Sequence, residues 1–341
     1  MGWLAGYAYR SAISIAHTVD GAQTAYQNTW TINKAAGVNA AGVLYLGGLA
    51  LAWPNDIRFT ESDGTTTDSF YRRFSDANTG TWLQKADIPA SGNWTGYIYW
   101  GKTSDTDASS ISGCFGVGNA DDFEWGVDEE SVVDNLGNIT WGPGSTAAVL
   151  DTARYKYGSK SMRISRIAGT NGYVDWSTTP LISKACGWYV YKEDAPASGV
   201  NYGGVSKRVS LNWRADDWIS YYDGSEKNVK YIAPNQWLKI ELTNINLAAG
   251  TFDIWLNDIK EKAGATMFNA GSGNTWEPGT VTANGNVWFD NVMLRTWTAN
   301  EPVVGTPGAT EYAPKGGSKF LSVGRERDPR RMIFHKTLKL K

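Results

Sequence analysis

The stretch PNDIRFTESDGTTTDSFYRRF, Pro54–Phe74, carries the pattern that decides the fold. Ile57–Thr60 mixes β-branched and aromatic residues, as short strands do. Ser62-Asp63-Gly64 is a turn signal, and Tyr71–Ser75 resumes as a strand. Downstream, DIPASGNWTGYIYWG, Asp87–Gly101, ends on an aromatic strand at Gly96–Trp100. Upstream, GYAYRSAISIAH, Gly6–His17, alternates. Tyr7, Tyr9, Ser11, Ile13 and Ile15 share one face, with Arg10 and Ser14 on the other, the period of a half-buried strand. With further strands at Thr29–Asn33 and Trp82–Ala86, this spacing predicts a β-sandwich.

Composition agrees. Among 341 residues, 38 glycines, 17 tryptophans and 17 tyrosines suit glycine turns between aromatic strands, and the length suits two domains. No strong helical periodicity interrupts the pattern. A net charge of -2 makes no case for nucleic acid as a preferred partner. The longest apolar run, Ala40–Trp53, is short of the ~20 residues a membrane span needs and reads as two buried strands or a loop. No basic, apolar leader stands at the front, so no signal peptide is predicted.

The blocks GYAYRSAISIAH, PNDIRFTESDGTTTDSFYRRF and DIPASGNWTGYIYWG resemble an uncharacterised β-sandwich domain of archaeal and bacterial surface proteins and of some viral proteins. That domain usually stands ahead of a jelly-roll module and has no assigned chemistry. The resemblance implies surface display, on a virus particle or a microbial surface, rather than catalysis.

Thr103–Gly118 is rich in Ser, Asp and Gly, and the first domain is expected to span residues 1–118. The second, 119–299, opens with ADDFEWG, Ala120–Gly126, and YGSKSMRIS, Tyr157–Ser165. Trp237–Asn246 alternates Leu238, Ile240 and Leu242 against Lys239, Glu241 and Thr243, and AAGTFDIWLND, Ala248–Asp258, follows as a glycine turn and a strand. VWFDNVMLR, Val287–Arg295, is the last regular strand. By period two, Asp290 shares a face there with Trp288, Val292 and Leu294. A carboxylate on an apolar face is costly unless it is bonded, paired or bound to a cation.

The order of these segments resembles jelly-roll lectins and carbohydrate-binding modules of the laminin-G and concanavalin type, whose members bind sugars, bind proteins or serve as structure. In the calcium-binding members, a carboxylate at the start of the first strand and one on the last meet at one ion. The matching residues are Glu124 and Asp290, with Asp122 a further ligand, and the ion would be structural. The alternative is that Asp290 caps a strand end or pairs with an arginine.

Trp213, Asp217, Trp218 and Tyr222 form the candidate sugar site, because flat rings stack on pyranose faces while carboxylates and amides bind hydroxyls. Against this, eleven of the 17 tryptophans lie in this half, and most must be core. A glycosidase needs two suitably spaced carboxylates. The hydrolases of this fold carry Glu-x-Asp-x-x-Glu, which Asp253, Asp258 and Glu261 do not match, so no catalytic residue is assigned. Two histidines, His17 and His335, offer no triad, and no phosphate loop is present. Cys114 and Cys186 are too few for a disulfide framework and read as separate buried thiols, with one bridge as the alternative.

Residues 300–341 are expected to form a Pro/Gly linker followed by a basic arm. From Lys315 onward, nine Lys and Arg face two Asp and Glu, a local +7 that leaves -9 on the body. Met332–Lys341 alternates, so the arm, with Phe320, Arg330, Arg331, Ile333, Phe334 and Leu338, suits addition to a neighbour's sheet; a disordered basic tail is the alternative. The expected protein is all-β: two sandwiches and an arm, a non-enzymatic structural and adhesion protein. Its partners would be further copies, neighbouring virion or surface proteins, or surface polysaccharide. The alternative is a carbohydrate-binding module beside a separate enzyme.

Overall fold

The computed structural model describes residues 2–74, 77–133, 137, 139–142, 148–165, 172–174, 176–177, 184–194, 198–202, 209–268, 275–280 and 285–314. Phe320, Arg330, Arg331, Ile333, Phe334 and Leu338 of the expected arm lie outside them.

The chain is all-β, as its alternation predicts. The first strands are β1 (Tyr9–Ile15), β2 (Gln23–Asn33), β3 (Val43–Tyr45), β4 (Arg58–Glu61), β5 (Phe70–Phe74), β6 (Thr79–Ile88) and β7 (Trp94–Trp100). A short helix, α1 (Ile111–Phe115), follows, capped by Ser110, whose Oγ accepts from Gly113 N at 2.9 Å. Next come β8 (Ala120–Asp121), β9 (Ala148–Asp151), β10 (Ser161–Ser165), β11 (Gly172–Tyr173), β12 (Trp176–Ser177), β13 (Lys184–Lys192), β14 (Ser198–Tyr202) and β15 (Val209–Trp213). The remainder are β16 (Trp218–Tyr222), β17 (Glu226–Tyr231), β18 (Trp237–Asn246), β19 (Thr251–Leu256), β20 (Ile259–Thr266), β21 (Thr275–Thr280), β22 (Asn286–Thr296) and β23 (Glu311–Tyr312).

Two four-stranded sheets, β23-β1-β7-β4 and β3-β2-β6-β5, make the first sandwich. Ile13, Ile15, Phe59, Ile98 and Trp100 bury themselves against Trp30, Ile32, Phe70 and Trp82. Of the run 40–53, only β3 is a regular strand.

The segment expected to open a linker instead completes this sandwich. Gly305 N and Gly308 N donate to Ser14 O and Ala12 O at 2.8 Å each, Ala313 N donates to Ala8 O at 2.9 Å, and β23 pairs antiparallel with β1. Arg10 Nε reaches Glu311 Oε2 at 2.7 Å. Glycine and proline read as linker from composition, but backbone pairing on an edge strand does not depend on side chains.

In the second sandwich, the sheet β20-β19-β18-β13-β22-β10-β9, with β8 on β22, faces β11-β21-β14-β15-β16-β17, with β12 on β21. Leu238, Ile240 and Leu242 of β18 point into the core, as their alternation predicts. One expected register fails. A bulge in β22, with Asn291 at φ 48°, sets Gly187 opposite Met293 and Tyr189 opposite Asp290. Val287, Phe289, Val292 and Leu294 therefore all reach the core, whereas Asp290 lies outside that set of residues. The face expected to join Asp290 with Val292 and Leu294 does not form, because the extra residue resets the parity.

The sandwiches meet along a mixed interface. Tyr71 and Leu83 pack with Cys114 and Phe115 of α1 and with Ala120 and Met293. Tyr71 OH donates to Asn291 Oδ1 at 3.0 Å, and Thr296 N donates to Gln27 Oε1 at 2.9 Å. Cys114 and Cys186 are both buried and unbridged. Burial pushes the Cys114 thiol up to about 12, which leaves it unreactive at neutral pH.

Candidate functional site

The four residues of the expected sugar site divide between the two faces of one hairpin. In β15, Val209, Leu211 and Trp213 point inward; Trp213 is 2% exposed and donates Nε1–H to Ile232 O at 3.1 Å. It is a core ring, not a ligand platform. Arg214 N donates to Trp218 O at 2.8 Å and Asp217 N to Arg214 O at 3.1 Å, closing a turn in which Asp217 takes φ 66°. Asp217 is committed to structure too. Its Oδ1 accepts Lys192 Nζ at 2.6 Å, and the Lys192 side chain is fully buried 5.6 Å from the Trp213 ring centroid. An ammonium so placed requires that carboxylate.

After the turn, Ile219 and Tyr221 join the core, so Trp218, Ser220 and Tyr222 point to the opposite face, where Ser220 is fully buried. Trp218 and Tyr222 are half-buried. Trp218 meets Tyr231 edge to face at 6.1 Å, and Tyr222 meets Phe268 at 4.7 Å. Tyr231 is 54% exposed and stands opposite Trp218 in the register. Opposite Tyr222, Glu226 accepts from Ser220 Oγ and from Asn212 Nδ2, and opposite Ser220, Asn228 Oδ1 accepts from Arg214 Nη1 at 3.2 Å. An open groove of about 490 Å³ at the β17 edge is lined by Arg214, Tyr221, Glu226, Lys227, Asn228 and Lys262, and by none of the rings Trp218, Tyr222 and Tyr231. Tyr231, Asn212, Glu226 and Asn228 escape a sequence reading because only cross-strand register brings them beside Trp218.

The carboxylates expected to hold calcium meet around one turn. Asp290, fully buried, accepts Lys156 N at 2.7 Å and Tyr157 N at 3.0 Å on Oδ2, and Asn291 Nδ2 at 2.8 Å on Oδ1. Glu124 accepts Ser159 N at 2.8 Å, Lys160 N at 3.0 Å and Ser159 Oγ at 2.7 Å. Gly158, at φ 71°, is required here, since a Cβ would lie 2.2 Å from Glu124 Oε1. Asp122 accepts Glu124 N at 3.3 Å. Burial pushes the Asp290 carboxyl up to about 7 despite its three donors, and burial also raises Asp122. This donor set does not fit calcium: the oxygens face N–H and O–H hydrogens, which a cation would repel. Among the described residues, no three His, Cys, Asp or Glu side chains are grouped to hold a metal.

Asp253, Asp258 and Glu261 are each engaged with a lysine: Lys260, Lys239 and Lys230 respectively. No helix among the described residues is long and apolar enough to cross a membrane.

No family model and no curated protein matches this sequence. Among solved structures, a sialidase is similar at 6% identity and TM-score 0.38, over 63% of this chain and 21% of its own. A carbohydrate esterase of Shiga toxin-encoding bacteriophage phi24B gives 10% identity and TM-score 0.37, over 50% of this chain and 99% of its own. The Caenorhabditis elegans galectin LEC-6 gives 11% identity and TM-score 0.27, over 38% and 93%. Scores this low carry no argument about ligand or reaction.

Proposed function

We propose that the chain is a non-enzymatic recognition protein that binds glycan on the outer face of the β15-β16-β17 sheet. The observation that supports this reading is the pairing of half-buried Trp218 and Tyr222 on one strand, with exposed Tyr231 opposite Trp218, exposed Glu226 opposite Tyr222 and exposed Asn228 between these two on β17. Rings of this kind offer stacking surface, and the short polar groups offer hydroxyl partners. The engagement of Asp253, Asp258 and Glu261 with lysines supports binding over hydrolysis. Display on a virus particle or microbial surface rests on the sequence resemblance, and attachment through the arm from Lys315 onward rests on its alternation and its local +7 charge. A carbohydrate-binding module serving a separate enzyme would use the same face.

The test is retention of the full chain on a panel of immobilised polysaccharides. One or more should retard it, and Trp218→Ala and Tyr231→Ala should each weaken retention about tenfold, the equivalent of one lost ring contact. Unchanged retention in both variants would remove this face from consideration.

A further inference from the structure

A cavity of about 490 Å³ opens where the two sandwiches meet. Its volume lies within the ~300–1,000 Å³ of ligand pockets, which favour such domain junctions. Thr29 of β2 lines it from the first sandwich, and Glu241 of β18 and Trp255 of β19 line it from the second. Trp297 and Pro302 line it from the segment that leads back to the first. One wall is a fixed, largely buried ion pair. Arg295 Nε and Nη2 donate to Glu241 at 2.8 and 3.2 Å, and these side chains are only 13% and 14% exposed. Arg295 Nη2 also reaches Glu301 at 2.7 Å.

The charges of the lining cancel: Lys239, Lys260 and Arg295 stand against Glu241, Asp258 and Glu301. Each is already paired, Lys239 with Asp258 and Lys260 with Asp253 at 3.0 Å. An ion of either sign would meet its own charge as readily as the opposite one. A hydroxyl both donates and accepts, so it can bond to either member of a pair without breaking it. The two rings of the lining differ. Trp255 is held in place, its Nε1 donating to Thr243 Oγ1 at 2.9 Å and Lys260 Nζ standing 4.9 Å from its ring centroid. Trp297 is half-buried, and among the described residues no hydrogen bond or ring contact engages it. A half-buried indole in that state offers both a flat apolar face and a free N–H donor.

We propose that this cavity binds an uncharged oligosaccharide, with a pyranose ring stacked on Trp297 and hydroxyls bonded to its indole N–H and to the paired charges of the wall. The site shares no residue with the Trp218 face, and neither reading rests on the other.

The experiment is calorimetric titration of the full chain with cellobiose, maltose, lactose and mannobiose. At least one should bind, with an affinity that stays within about twofold between low and high salt, since no ionic contact is made. Trp297→Ala should weaken that binding about tenfold. No binding by any of these sugars, loss of binding in high salt, or full binding by Trp297→Ala would each overturn the proposal. A second readout covers failure of that variant to fold and separates this site from the Trp218 face. In the unmodified protein, the Trp297 indole N–H resonance should shift on adding the sugar that binds. A resonance that stays in place rejects the site, even where the sugar is held elsewhere on the chain.

Discussion

The two sandwiches close in different ways. The second contains its own core, with both layers drawn from strands between β8 and β22. The first is assembled from two distant pieces: its opening strands and the returning segment 300–314, which covers the outer edge of β1. The second sandwich is therefore inserted into the first. A domain whose edge is supplied by a remote segment folds cooperatively only when the chain has come back, whereas a contiguous one does not wait.

The largest expected effect follows from that difference. Ending the chain after Ala299 removes the pairing of β1 with β23, the Ile15–Val304 bridge and the Arg10–Glu311 ion pair. It also removes Asn300, whose N and Nδ2 donate to Asp20 at 2.7 and 2.9 Å. Two unfolding transitions should replace one, with the first sandwich melting well below the second. Ending the chain after Gly317 retains all of these and should melt like the full protein. A single, unshifted transition after the shorter truncation would mean that segment 300–314 is merely laid on the surface.

Next in size are changes within the second sandwich, where the inner and outer faces of one hairpin differ. Trp213→Ala empties a core site and should cost about 3–5 kcal/mol in denaturant unfolding. Asp217→Ala strands the buried Lys192 ammonium and should cost a similar ~3–5 kcal/mol. Trp218→Ala, five residues from Trp213, should stay within about 1 kcal/mol while losing glycan retention. Equal destabilisation by Trp213→Ala and Trp218→Ala would abolish the distinction between holding and presenting residues.

That hairpin also shows what the sequence discloses. The alternation of Val209, Leu211 and Trp213 marks Trp213 as inward, and Ile219 with Tyr221 marks Trp218 as outward. Read as one aromatic patch, the four residues hide the change of phase at the 214–217 turn. β18 is fully legible because nothing interrupts its alternation before Leu242. The bulge at Asn291 is not, because the opposing strand β13 sets it. Nor is the return of 300–314, which is held largely by backbone groups common to every sequence. The site around Trp218 is half legible: the rings stand in sequence, but Tyr231, Glu226 and Asn228 come from register.

A smaller effect tests the junction between the sandwiches. Burial holds Asp290 at about 7 in the folded chain, against an ordinary value of ~3.9. Between those values the folded state binds the extra proton, so stability should fall as pH rises from about 4 to 7 and level off above. Asp68, pushed to about 7, and Asp121, to about 6, slope the same way. Asp63, held near 2 by Thr65 and Thr66, acts only below that window. Melting followed across this range should be visibly flatter in Asp290→Asn than in the parent. A parallel profile would show that Asp290 does not titrate there.

The smallest expected effect is calcium, and it separates structural caps from metal ligands. The resemblance to calcium-binding jelly rolls brings Glu124 and Asp290 together, and the structure does place both at one turn. The oxygens, however, accept from Lys156, Tyr157, Ser159, Lys160 and Asn291, and a cation could bind only if the turn opened and gave up those bonds. Opening would break several charge-assisted hydrogen bonds, each worth about 1.5–3 kcal/mol, before the first ion contact forms. Melting temperatures in millimolar calcium and in chelator should therefore coincide. A rise in calcium would be a mass-action signature of binding to the folded state. If Glu124→Gln abolished that rise, the turn would have to exchange its hydrogen bonds for the ion, and the carboxylates would be ligands after all.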